Sequence, residues 1–175
     1  KQYSYAGGRM DLWGGGFLGF GKVTVFDPQL RAQTITSFDH VTREGTVYPY
    51  AGLPKKIEHI APIFDTPTDD EEWPSLPTGD LFARVTTIEN FYEMVSTNTG
   101  AGTYAVHSVG SITHEFESQV SVDPESVTLV GGPTETPRVT VTTTIHDDYE
   151  NPTFVSHLTG GGTARYAWFE YENRN

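Results

Sequence analysis

Cysteine is absent from this 175-residue chain. That excludes a disulfide framework, a thiol nucleophile and any Cys-ligated zinc site. Positive charge is scarce: 11 Lys and Arg stand against 23 Asp and Glu, a net charge of −12. Nucleic-acid phosphates are gripped by clustered Lys and Arg. The few here are scattered, so nucleic acid is not an expected partner. Long apolar runs are also missing. Nothing reaches the roughly 18 residues of a membrane-spanning helix, so no membrane insertion is expected of this segment. There is no signal-peptide pattern, and no convincing amphipathic helix; Glu89–Met94 has room for a single helical turn. The chain opens on Lys1 rather than Met, which reads as a fragment of a longer protein.

What is present points to an all-β domain of antiparallel hairpins and meanders, forming a curved sheet or a sandwich-like fragment. Charged residues make up only 19% and aromatics 13%, against the pattern of disordered chains. The 18 Gly and 11 Pro call for many turns. Hydrophobic residues recur with a period of two. In Arg138–Ile145, Val139, Val141, Thr143 and Ile145 share one side and Thr140, Thr142 and Thr144 the other, the pattern of a half-buried strand. Abundant Thr suits such a half-wet pleated surface. Further strands are expected at Lys22–Phe26, Gln33–Phe38, Lys55–Phe64, Leu81–Thr97, Thr103–His107, Ser111–Ser118, Ser126–Val130, Phe154–Leu158 and Thr163–Tyr171. Asp-Pro and Gly-rich clusters such as Gly131-Gly132-Pro133 and Gly160-Gly161-Gly162 separate several of them. Three regions follow: a Gly-rich β region over 1–64, an acidic Pro-rich loop over 65–80, and an antiparallel β region over 81–175.

Several clusters invite a chemical reading, and each has a plainer one. The acidic run Asp65–Glu72 offers oxygen ligands for Ca²⁺. It lacks the spaced pattern that wraps a loop around the ion, so a solvated loop is the expected reading. His146-Asp147-Asp148 with Asn151 reads as an Asp/Asn turn, whose side chains bond nearby backbone. Glu115 and Glu117 share a strand face, but nothing supplies the cleft a carboxylate pair needs for hydrolysis. His40, His59, His107, His114 and His157 lack metal-ligand spacing and read as half-buried strand residues. Gly14-Gly15-Gly16-Phe17-Leu18-Gly19-Phe20 has neither the Lys-Ser/Thr ending nor the helix of a phosphate loop. It reads as a tight bend with Phe17, Leu18 and Phe20 anchored in a core.

Gly14–Phe20 also resembles the Gly-Arg-Gly-Phe-Leu-Gly-Phe signature of Rhs/YD-repeat shell proteins and the related toxin-complex (Tc) B/C components. Tyr48-Pro49-Tyr50-Ala51-Gly52-Leu53-Pro54 resembles the family's Phe-Pro-Tyr-x-Gly-x-Pro. His146-Asp147-Asp148-Tyr149-Glu150-Asn151 is similar to its Tyr-Asp-x-x-Gly-Asn hairpin, and Tyr171-Glu172-Asn173 to its closing Tyr-x-Asn. The chain departs from the family at Gly15 (Arg there), His146 (Tyr) and Glu150 (Gly). The resemblance implies a bacterial, secreted or cell-surface virulence scaffold: part of the wall of a hollow β-shell, with no catalysis and no cofactor of its own. Its implied partners are other segments of the parent protein and an encapsulated C-terminal toxin. The motif residues expected to matter are structural: Gly14, Gly16, Phe17, Gly19 and Phe20 in the bend, Pro49, Gly52 and Pro54 in a second turn, and Asp147, Asp148 and Asn151 in a hairpin. The rival reading is a stand-alone β-sandwich module that binds carbohydrate on exposed rings, with Trp73, Tyr166 and Trp168 as its platform. Tyr166 and Trp168 share a strand face, and large aromatics usually bury, so both are expected in the core.

Overall fold

The computed structural model describes residues 1–12, 16–64, 79–98, 103–147, 151–160, 162 and 164–170. The described chain is all-β. Its ten strands are β1 (Gln2–Asp11), β2 (Gly16–Asp27), β3 (Ala32–Phe38), β4 (Pro54–Pro62), β5 (Gly79–Asn98), β6 (Thr103–Val122), β7 (Val127–Pro133), β8 (Arg138–His146), β9 (Pro152–Thr159) and β10 (Arg165–Trp168). All belong to one antiparallel sheet in the order β1-β2-β3-β4-β5-β6-β8-β9-β10, with β7 also paired to β6. β7 takes the Ser118–Val122 end of β6 and β8 takes the Gly110–Glu115 end. The two therefore lie one after the other along a single edge of β6. The pairing of β4 with β5 carries the sheet across the acidic Pro-rich segment, whose residues 65–78 lie outside the described residues.

The strands are longer than the sequence pattern suggested. β5 runs unbroken through Glu89–Met94, so no helical turn forms there. Thr103–His107 and Ser111–Ser118 are one strand, and β1 is an additional strand. Gly110 sits inside β6 because β8 passes close: a Cβ at that position would overlap the backbone carbonyl of Thr142.

Register places the core on one face. Phe26 pairs with Gln33, Gln33 with Ile60, Ile60 with Val85 and Val85 with Phe116, a row running from β2 to β6. Directly opposed residues share a face. Ala83, Val120, Val122 and Val127 complete the buried cluster, with Leu81, Phe116 and Leu129 packed against it. Each buried Val, Ile or Phe contributes roughly 1.5–3 kcal/mol through burial.

The inner face curls until β7 meets β3. Gln33 is buried, and its Nε2 donates to Val127 O at 2.9 Å while its Oε1 accepts from Val127 N at 3.4 Å. One side-chain amide thus satisfies both backbone groups of a residue 94 positions away, as a strand partner would. Arg31, in the turn before β3, donates from Nη1 to Asp123 O at 3.2 Å. Arg31 also holds a φ of +49°, a conformation that costs a non-glycine residue about 1 kcal/mol or more. The curl closes only this end. By the same alternation, Phe91, Ile145, Phe154, Leu158, Tyr166 and Trp168 continue the inner face beyond the core, and all but the partly buried Phe154 are exposed.

Gln33→Leu leaves the buried N–H and C=O of Val127 without those partners. It is expected to lower stability by about 2–4 kcal/mol, since each orphaned buried polar group costs roughly 1–3 kcal/mol. Urea unfolding checks this; a loss under about 0.5 kcal/mol would show that the closure does not depend on the amide.

Candidate functional site

The Gly-rich motif is part of a hairpin arm, not a core bend. Gly16–Phe20 lies in β2 and pairs with β1. Gly14 lies outside the described residues. Arg9 pairs with Gly19 and Met10 with Phe17, so Leu18 is the extra residue of a β-bulge. Phe17 packs edge-on against Phe20 at 5.3 Å, and Phe20 against Tyr5 at 4.9 Å. These rings form a surface cluster: Phe17 is 58% exposed, which overturns the expected anchoring in a core. The reason for glycine changes as well. Gly19 has a φ of +96°, and an added Cβ would meet nothing within 4 Å. Backbone conformation, not lack of space, requires glycine there.

The second motif forms two successive turns. Ala51 N donates to Tyr48 O at 3.2 Å, with Pro49 at the position whose fixed φ suits it. Leu53 N donates to Tyr50 O at 3.0 Å, and Gly52 supplies the positive φ, +84°. Pro49 is buried, and Pro54 starts β4. The Pro54 carbonyl accepts from Asn90 Nδ2 at 2.8 Å and from Tyr92 Oη at 3.1 Å, which docks the turn on β5. Burial raises the Tyr92 pKa above its ordinary value. Tyr48 ties the two motifs together, with the guanidinium of Arg9 at 5.5 Å and that of Arg43 at 5.9 Å over its ring.

Asp39 organises the approach to this turn. Its carboxylate accepts from Val41 N at 3.2 Å, Thr42 N at 2.9 Å and Thr42 Oγ1 at 2.7 Å, with Lys55 Nζ at 3.6 Å. Burial pushes its pKa up, but the bonds from Thr42 and Val41 and the Lys55 charge outweigh that and hold it below its ordinary value. Such bonds favour the ionised form.

At the β8–β9 hairpin, Asp147 Oδ1 accepts from Asn151 N at 2.9 Å, and Asp147 N donates to Asn151 O at 3.0 Å. Asp148 lies outside the described residues. Beside this turn an open groove of about 590 Å³ is lined by Glu93, Val95, His107, Thr143, His146 and Asp147, among others. The rings of His107 and His146 stack at 4.1 Å. Ring lone pairs lie in the ring plane, so this stacking does not aim both imidazoles at one ion. No group of three or more His, Asp or Glu suited to a metal ion occurs among the described residues. Glu115 and Glu117 do share a face, the outer one, beside Arg84 and Arg138 in an open surface depression.

Tyr166 and Trp168 do not fill the core. They lie on the inner face but on the edge strand, 66% and 73% exposed. Trp168 packs on Phe154 at 4.4 Å, and Tyr166 stacks with Phe154 at 6.4 Å. The sheet ends at β10, so nothing among the described residues covers them. Trp73, the third candidate ring, lies outside the described residues, as do the acidic run Asp65–Glu72 and Tyr171-Glu172-Asn173.

The chain matches no protein-family model, and no curated protein or solved structure matches it.

The sequence reading missed two groupings. One is the His107–His146 stack. The other is the meeting of Arg138, His157 and Arg165 on the outer face. Both depend on register between strands, and no local spacing signals them.

Two outcomes follow. Gly19→Val is expected to lower the melting temperature more than Gly19→Asn, because Asn tolerates left-handed backbone. Equal losses in a thermal melt would point to packing instead. Asp39→Ala is expected to cost about 1–2 kcal/mol at pH 7 through its lost bonds. Because the folded pKa is depressed, the stability that Asp39 contributes is present above the unfolded pKa, about 3.9. It is lost as pH falls through the lower folded value. The difference between wild type and Asp39→Ala should therefore narrow below about pH 4; a difference constant from pH 7 to pH 3 would contradict this.

Proposed function

We propose that this chain is a structural segment of a secreted, toxin-encapsulating β-shell of the Rhs/Tc kind, with no catalysis of its own. The observation that carries the reading is the half-covered inner face. One face carries apolar residues at both ends of the sheet, the buried row from β2 to β6 and the exposed residues of β8–β10, with Lys22, Lys56, Glu58 and Glu89 also on it. It is closed over itself at the β2–β7 end and left uncovered at β8–β10. The open edges of β1 and β10 border the strip on either side. An isolated module has reason to hide such edges and rings, whereas a wall segment uses both to continue into its neighbours. The sequence resemblance at Gly14–Phe20 and Tyr48–Pro54 supports the same reading, since Gly16–Phe20 builds a bulge with inter-strand packing and Tyr48–Pro54 builds turns. Its partners would then be further strands of the parent protein and the encapsulated C-terminal segment.

Carbohydrate binding is the second reading, favoured by one observation: the exposed Tyr166 and Trp168 flank Phe154 as an aromatic patch.

The parent gene decides between them. Downstream Tyr-Asp hairpin repeats that end in an unrelated C-terminal stretch are expected. A stop codon just after Asn175, or a flanking catalytic domain, would overturn the shell reading. A glycan-induced change in Trp emission that Trp168→Ala abolishes would put the sugar platform in its place.

A further inference from the structure

The outer face of the β8–β10 end carries a concentration of donors that is unusual in so acidic a chain. Arg165 pairs directly with His157 across β9–β10, and His157 with Thr142 across β8–β9. Arg138, at the start of β8, lies on the same face by alternation. Arg138, His157, Thr159, Gly162 and Arg165 together line an open cleft of about 480 Å³. Arg165 makes no ion pair with a described residue. Arg138 has Glu115 at 3.9 Å, a long and largely exposed pairing that leaves most of its donors free. His157 Nδ1 is held by the Thr142 hydroxyl at 3.2 Å. When that hydroxyl donates, the ring proton sits on Nε2, which becomes one more donor. The cleft therefore offers two guanidinium forks, an imidazole N–H and the Thr159 hydroxyl, with no carboxylate among the described residues that line it.

We propose that this cleft binds a phosphate-type oxyanion, free or as the ester of a small molecule. Planar guanidinium forks match the paired oxygens of such a group, and charge-assisted bonds of this kind are the strong ones. The assignment is independent of the shell reading, because it uses the opposite face of the sheet.

Titration of the isotopically labelled 175-residue chain tests it. The probes are inorganic phosphate and glucose 6-phosphate, added at constant ionic strength and followed by amide chemical shift. Saturable shifts confined to residues around Arg138, His157 and Arg165 are expected, with a Kd on the order of 1–10 mM. Tighter binding of the ester would make a small-molecule ester the ligand; equal binding would make it the free anion. Arg165→Gln should weaken binding about tenfold or more, and Arg165→Lys, which keeps charge but loses the fork, by less. Arg84→Gln, a charge change on the same face outside the cleft, should leave affinity unchanged, whereas Arg138→Gln, which removes the other fork, should weaken it and tests the proposal if an Arg165 variant fails to fold. Linear, non-saturating shifts, the same shifts from chloride at matched ionic strength, or unchanged affinity in Arg165→Gln would overturn the proposal.

Discussion

A single side-chain amide holds the curl of this sheet. The bond pair between Gln33 and Val127 joins β3 to β7 across the inner face, where backbone pairing does not reach. An apolar residue at position 33 would fit the alternation of β3, but it would leave two buried backbone groups unmet. A shorter amide would lack the length of a Gln side chain. The buried row from Phe26 to Phe116 is enclosed because this contact keeps β7 folded over it. Arg31 reinforces the same junction, and its strained φ is tolerated where the closure fixes the chain.

The two halves of the sheet differ in what covers them, not in how they are made. Both alternate apolar and polar residues, and both carry Thr on the outer face. At the closed end the inner residues are Ala83, Val85, Val120, Val122 and Val127 together with the larger Ile60 and Phe26. At the open end they are rings and long side chains: Phe91, Phe154, Leu158, Tyr166 and Trp168. These exposed side chains present an apolar surface to whatever lies beyond the sheet. The net charge of −12 acts against unwanted association through those rings.

Most of the fold was legible in the sequence because period-two alternation and β-branched residues mark strands directly. Nearly every observed strand overlaps an expected one. β1 escaped because only Tyr3 and Tyr5 alternate in Gln2–Asp11 before Gly7-Gly8 interrupts the pattern. Expected as two strands, β6 is one because Ser108 and Gly110 interrupt the pattern around Val109 without ending the strand; close approach of the β8 backbone, a long-range fact, explains that glycine. Of the motif residues, Gly52 and Asn151 sit in turns as their chemistry requires. The motif at Gly16–Phe20 was located but misjudged: sequence shows that Phe17 and Phe20 are large and apolar, not whether anything covers them. The same limit applied to Tyr166 and Trp168. The Arg138–His157–Arg165 cleft was illegible, since its members are far apart in the chain and meet only through the register of three strands.

The order of the strands has a consequence for how the chain acquires its structure. Almost every neighbour in the sheet is also a neighbour in sequence, so most of the strip can zip together hairpin by hairpin as it leaves the ribosome. The β6–β8 pairing passes over β7, and the clasp between β3 and β7 must wait until β7 has been synthesised and paired with β6. Until then the apolar inner face stands open along its whole width, a time when collision with another nascent chain competes with closure. Speed of local pairing is thus gained at the expense of a late, exposed step, and the acidic character of the chain protects it during that interval.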